Sequence, residues 1–151
     1  MKRKLIYNFL SDDDLLRISN KITEAEKTTS GEIRVVIKEK KPLLKSFKPV
    51  NELAKEEFFR TGMDKTRDKT GILLFVMLKE RSFYILADSG INEKVSQTVW
   101  DAIRNEMQQH FQSGNFSKGL QLGIAKVGEV LAAHFPIKSD DTNELSNRVG
   151  M

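Results

Sequence analysis

Two aspartates, Asp68 and Asp88, lie within the stretch DKTGILLFVMLKERSFYILADSGINEKV, outside the far ends of its two apolar runs, and are the residues of this chain best placed to do chemistry. Between them, Gly71 to Leu78 is an unbroken apolar run, KER follows, and Ser82 to Ala87 is a second apolar run. Two carboxylates brought to one place have two uses. They can help to hold a hard cation, since Ca²⁺ takes about six to eight oxygens from carboxylates, carbonyls and water. Alternatively they serve the backbone: Asp88, just before Ser89-Gly90, makes an Asx turn or caps the next helix, and Asp68 terminates a loop. The contiguous calcium loop D-x-[DN]-x-[DN]-G is absent, so a cation site here has to be assembled from separate loops.

Other chemistries fare worse. No cysteine occurs, which excludes thiol catalysis, disulfides and thiolate zinc sites. The two histidines, His110 and His134, fall near the ends of different helices and read as packed or capping residues. There is no G-x-S-x-G elbow, P-loop or G-x-G-x-x-G. DKTG at Asp68 lacks the paired D-x-D of aspartyl-phosphate enzymes. No catalytic residue and no organic-cofactor site can be named, and Trp100 and Phe58-Phe59 read as core or rim.

The elements that position the aspartates can be read in order. SDDDLLRISNKITEAEK is a helix with Ser11 as N-cap and Asp14 three residues on, an acidic capping box, followed by Leu15, Ile18, Ile22 and Ala25 at helical spacing. TTSGEIRVVIKE breaks that helix and continues as a strand, Ile33, Val35 and Ile37 on one face, Glu32, Arg34 and Val36 on the other. Lys38 to Lys48, with five lysines opposed by Glu39, reads as a solvated loop. A second helix runs from Val50 to Thr61 and stops at Gly62. The run from Gly71 is apolar throughout, as in a central strand covered on both faces, and the tight KER link makes the pair an antiparallel hairpin. A third helix is predicted from Asn92 to Gln112, with Val95, Val99, Ile103 and Met107 inward, and a fourth from Phe116 to His134. Gly119 and Gly123 suggest close packing of the fourth helix on a neighbour.

This order predicts an α/β fold, a three-layer α/β/α sandwich: a small mixed sheet of three to four strands with helices on both faces. The strands are expected at 31–38, 70–78 and 82–88, the first two parallel, with 39–49 left open as the source of a short fourth. With the hairpin turning near Glu80, position 72 lies opposite position 88 within one residue of register. Asp68 and Asp88 then emerge at the same sheet edge within about 10 Å. The parallel strand begins at this end, bringing Ser30 and Glu32 into the neighbourhood.

The chain has 151 residues, one domain of ordinary size, with a net charge of +4. Its lysines and arginines are interleaved with acids rather than gathered in a stripe with aromatics, so nucleic acid is not expected as a partner. The longest apolar run falls short of the roughly 20 residues of a membrane span, and MKRKLIYNFL does not read as a secretory signal. The expectations are a cytoplasmic monomer without direct membrane insertion, divided into a lead-in (1–10), the domain (11–136) and a polar tail (137–151). Asp140, Asp141, Asn143 and Glu144 in that tail read as a solvated terminus.

AEKTTSGEIRVVI, FFRTGMDKTRDKTGILLFV, FYILADSGI, FQSGNFSKGLQLGI and HFPIKSDDTNEL, in this order, resemble the TPM domain family. The family has relatives among thylakoid-lumen, photosystem II repair and acetylcholine-receptor auxiliary proteins. The resemblance covers Ser11 to Leu145, and DDTNEL after HFP is similar to the compact bacterial branch. It implies a sheet flanked by helices, with an aspartate before the buried strand and a D-x-G after the hairpin, matching Asp68 and Asp88 with Gly90. It also implies a divalent cation, Ca²⁺ or Mg²⁺, at Asp68 and Asp88; Glu32, brought to the same sheet end by the strand order, is the candidate for an additional ligand. On this reading the domain is a regulatory or protein-interaction module. Bacterial members of this branch are often encoded beside LemA-type membrane proteins, which implies a membrane-attached protein partner. The alternatives are a metal-dependent acid phosphatase, an activity assigned to the plant branch, and a structural interaction domain without a ligand.

Overall fold

The computed structural model describes residues 4–137, and the acidic tail at Asp140, Asp141, Asn143 and Glu144 lies outside them. The elements are α1 (Asp12–Glu26), β1 (Glu32–Lys38), α2 (Val50–Arg60), β2 (Gly71–Met77), β3 (Ser82–Ala87), α3 (Ser89–Asn92), α4 (Gln97–Gln112) and α5 (Phe116–His134). Single 3-10 turns at Leu5–Asn8, Leu43–Lys45 and Met63–Lys65 complete the described chain.

The sheet has the order β1-β2-β3, with β1 parallel to β2 and β2 antiparallel to β3. All seven residues of β2 are buried, because it is the central strand, paired on both edges and covered on both faces. Ile33, Val35 and Ile37, with Ile72, Leu74 and Val76, face the side closed by α1, α4 and α5. Val36, Leu73, Phe75 and Met77 face the opposite side, where α2 lays down Leu53, Ala54 and Phe58. The sandwich is therefore three-layered but unequal, three long helices on one face and one on the other. The lead-in joins the larger core through Ile6 and Leu10.

The capping box forms as its spacing predicts. Asp14 N donates to Ser11 Oγ at 3.0 Å, and Ser11 N donates to the Asp14 carboxylate at 2.9 Å. That backbone bond is the chief reason the Asp14 carboxyl titrates below its ordinary 3.8. A depressed folded pKa gives stability that is present above the unfolded value and lost as pH falls through the folded one. Asp14→Ala is expected to cost about 1 kcal/mol at neutral pH. In thermal melts against pH, its gap from wild type should close progressively below about pH 3.9; a gap constant down to the acid limit would contradict this.

One expectation is corrected and one open point is settled. The third helix does not run unbroken from Asn92 to Gln112: α3 ends at Asn92, the chain turns through Glu93–Ser96, and α4 begins at Gln97. Val95, which mimics the helical period, is instead buried as the residue before the cap position, in the same core as Trp100 in the first turn of α4. That is the arrangement of a hydrophobic staple, which fixes the angle at which a chain enters a helix. Nor does the 39–49 region add a fourth strand; past Glu39 it leaves the sheet and folds into tight turns. The close packing expected of α5 is present, since a methyl group on Gly123 would enter the Met107 side chain of α4.

Candidate functional site at the acidic sheet end

The register Ile72↔Ala87 puts Gly71 opposite Asp88, and Asp88 N donates to Gly71 O at 2.9 Å. On its other side Gly71 pairs with Glu32. Glu32, Gly71 and Asp88 thus form one rung, and by strand alternation all three belong to the α2 face. Two strand spacings separate Glu32 from Asp88, about 10 Å between backbones. The residue between them has no side chain, so the rung is open at its centre. Over that opening stands the 3-10 turn Met63–Lys65, whose Met63 carbonyl would lie 3.1 Å from a Cβ at Gly71. This turn brings Asp64 to the same end of the sheet.

Among these carboxylates the structure shows different states. Asp88 Oδ1 accepts from Ser89 N at 2.7 Å, capping α3, whereas its Oδ2 is buried and meets no protein hydrogen-bond donor among the described residues. Asp64 Oδ1 is in the same condition. Glu32 is only 4 % exposed. Asp68 differs: its side chain is 41 % exposed and its Oδ2 receives Arg67 Nη2 at 3.0 Å and Nε at 3.2 Å.

Asp68 approaches Asp88 through its backbone instead. Gly90 N donates to Lys69 O at 2.9 Å, and a methyl group on Gly90 would collide with the Asp68 and Lys69 carbonyls. The loop between Asp64 and Thr70 is therefore clamped onto the start of α3. Lys69 helps to shape it, with φ at +58° and its ammonium donating to the Asp64 carbonyl. Asp68 and Asp88 share a sheet end as the hairpin geometry requires, but the buried, unpartnered oxygens belong to Asp88 and Asp64. Sequence reasoning missed Asp64; its signal was its place four residues before Asp68, in a loop whose path no periodicity reveals.

The neighbourhood is not purely acidic. Lys65, Arg67 and Lys69 alternate through the loop, and Arg34 lies one step inward from Glu32 on the same face, paired in register with Leu73. Arg67 and Lys69 are already directed at Asp68 and at the Asp64 carbonyl. Among the described residues no three carboxylate or imidazole side chains converge closely enough to form a finished metal cage. Oxygens for a cation would come from two or three carboxylates, loop carbonyls and water. A cleft of about 480 Å³ lined by Phe9, Phe83, Phe111 and Phe116 lies by the hairpin turn, at the other end of the sheet, and involves none of these carboxylates.

A three-stranded mixed sheet between unequal helical layers, with acids gathered where β1 and β2 begin and β3 ends, defines a small α/β sandwich domain. The chain belongs to the TPM domain family, whose model matches residues 7–130. It is similar to the BA42 protein of the psychrophilic bacterium Bizionia argentinensis, with 39 % identity, a TM-score of 0.84 and 94 % of each chain covered. The N-terminal domain of a protein from P. gingivalis shares the fold at 21 % identity and TM-score 0.68, over 84 % of this chain and 79 % of that one. So does the N-terminal domain of the cg2496 protein of Corynebacterium glutamicum, at 14 % identity and TM-score 0.63, over 91 % and 82 %. No curated protein matches the sequence. No helix among the described residues is long and apolar enough to cross a membrane.

Proposed function

We propose that this TPM domain binds a divalent cation, Ca²⁺ in preference to Mg²⁺, at its acidic sheet end and acts as a regulatory or protein-interaction module. The observation that carries the reading is the pair of buried carboxylate oxygens, Asp88 Oδ2 and Asp64 Oδ1, without a protein donor. A buried charged oxygen left unpaired is costly, and a cation removes that cost. Asp88 and Asp64 are the first ligands on this reading. Glu32 on the same rung and the backbone carbonyls of the 64–70 loop are candidates to complete the set. Asp68, turned to Arg67, contributes mainly charge. Ca²⁺ suits a site made of loop oxygens because it accepts irregular geometry, whereas Mg²⁺ demands a near-octahedral shell. The partner of such a module is a protein, with a membrane-attached LemA-type protein as the first to test.

A loop-built site of this kind should bind weakly, with Kd on the order of 10⁻⁴ M. At about 10 mM Ca²⁺ the folded state then gains about 2.7 kcal/mol, or roughly 5–11 °C in melting temperature. Amide shifts during a Ca²⁺ titration should be confined to residues 62–71, 87–93 and 30–34. Asp88→Asn and Asp64→Asn should abolish the thermal gain, while Asp68→Asn should only reduce it. Absence of shifts in those segments at 10 mM rejects the site. Turnover of a generic phosphomonoester that requires the cation and disappears in Asp88→Asn would favour the metal-dependent phosphatase instead. Absence of both binding and turnover would leave the structural interaction domain.

A further inference from the structure

The lysine-rich connection between β1 and α2 holds an unusual combination of side chains. Leu43, Leu44 and Phe47 are 89 %, 88 % and 79 % exposed, within five consecutive positions. Around them in sequence stand Lys38, Lys40, Lys41, Lys45 and Lys48. Large apolar side chains scattered singly over a surface need no explanation, but three gathered on one exposed turn do.

The segment is held rather than loose. Leu78 N and Lys79 N donate to the carbonyls of Lys38 and Glu39, both at 2.9 Å, so the loop departs from the hairpin end of the sheet. Pro42 opens the 3-10 turn Leu43–Lys45, and the bond from Lys48 N to Lys45 O adds a second turn. Its far side is tied to α2, where Glu56 receives Lys48 at 2.6 Å and Lys45 at 3.5 Å. The single acid of the segment, Glu39, is turned away to accept from Ile6 N at 3.0 Å. Cationic charge therefore dominates the outside of the loop.

We propose that this loop is an interfacial anchor for an anionic phospholipid bilayer, Leu43, Leu44 and Phe47 entering the headgroup–acyl boundary while the lysines meet the lipid charge. The shape favours a bilayer over a protein. A tight turn that presents three side chains almost wholly to solvent is convex, and a protein partner would need a matching pocket, whereas a bilayer accepts a protrusion without one. Lysine stems lie along apolar surface while their ammonium groups stay at headgroup level, and apolar insertion combined with basic attraction is the usual chemistry of interfacial binding. The loop lies at the end of the sheet remote from the acidic rung, so its role is independent of the cation reading. It also revises the expectation of no direct membrane insertion, which rested on the lack of a spanning run.

The test is flotation of the full chain with vesicles of phosphatidylcholine containing phosphatidylglycerol, and with phosphatidylcholine alone. Wild type should float with the anionic vesicles, bind the neutral ones far less, and be released progressively by salt. Lys40→Gln with Lys41→Gln should lower partitioning by about fivefold per lysine. Leu43→Ser, Leu44→Ser and Phe47→Ser together should lower it by about tenfold or more per side chain, with the melting temperature unchanged. Leu16→Ser, at an exposed leucine on α1 away from the loop, should have no effect. As a check independent of the triple variant, Phe47→Trp should show a blue-shifted emission on anionic vesicles, the native Trp100 being buried. Three results would overturn the proposal: wild type failing to float, the triple serine variant floating as well as wild type, or Trp at position 47 keeping a water-like emission. Self-association without lipid that the triple variant loses would assign the patch to a second copy and overturn it equally.

Discussion

Gly90→Val is expected to lower the melting temperature by about 6–12 °C, equivalent to about 3 kcal/mol for a chain of this size. The reason is that the new Cβ would meet the carbonyls of Asp68 and Lys69 and not the far end of a flexible side chain. Backbone can retreat only by breaking something, and here the bond from Gly90 N to Lys69 O at 2.9 Å is the first to go. The loop would then lift from the start of α3, carrying Asp64 away from Asp88. On the proposed cation reading, the same variant should lose any calcium-dependent gain in stability as well as basal stability. Circular dichroism melts with and without Ca²⁺ read both effects. A drop of less than about 2 °C would show that the loop yields freely and that the clamp is weak.

Trp100→Ala should be at least as damaging, by about 3–5 kcal/mol. Trp100 is 1 % exposed on α4, inside the core shared by the sheet, α1 and α5. Its removal takes away a large apolar surface and leaves a cavity that the helices can collapse around only in part. Since a domain of this length is stable by roughly 5–15 kcal/mol in all, the variant should sit near the edge of folding at room temperature. In urea its midpoint should fall sharply while the slope is unchanged. Trp100→Phe, which keeps much of the volume, should cost well under half as much. Near-equal midpoints for wild type and Trp100→Ala would contradict the core assignment.

Where a residue's structural role depends on close neighbours in sequence, the sequence showed it directly. Ser11 and Asp14 form a reciprocal cap because both partners lie within one helical turn. The alternation in β1 and the unbroken apolar run of β2 reported which strand lies at the edge and which in the centre. Val95 misled because its burial follows from tertiary packing: a residue that staples a helix start can fall in phase with the helix it precedes. Asp64 escaped notice because its neighbour across the gap, Gly71, is met only through the fold of the 3-10 turn. In the loop after β1 the lysines drew attention and the two leucines and phenylalanine did not, since no pattern in sequence tells an apolar side chain left in solvent from one tucked under a turn.

The sheet order also sets the sequence in which the molecule can assemble. β2 and β3 meet directly across their turn, so that pairing needs little chain closure, whereas Glu32 meets Gly71 only after a detour of about forty positions. Hairpins of this kind form in about 1–10 μs, well before a distant strand can be recruited in register. The rung of Glu32, Gly71 and Asp88 lies at the hairpin's open end and needs β1 as well, so it is among the last parts to close. Glu32 is consequently far from Asp88 until β1 has paired with β2. A ligand that needs Glu32 together with Asp88 would stabilise only chains in which β1 has paired, so it should slow unfolding more than it speeds folding.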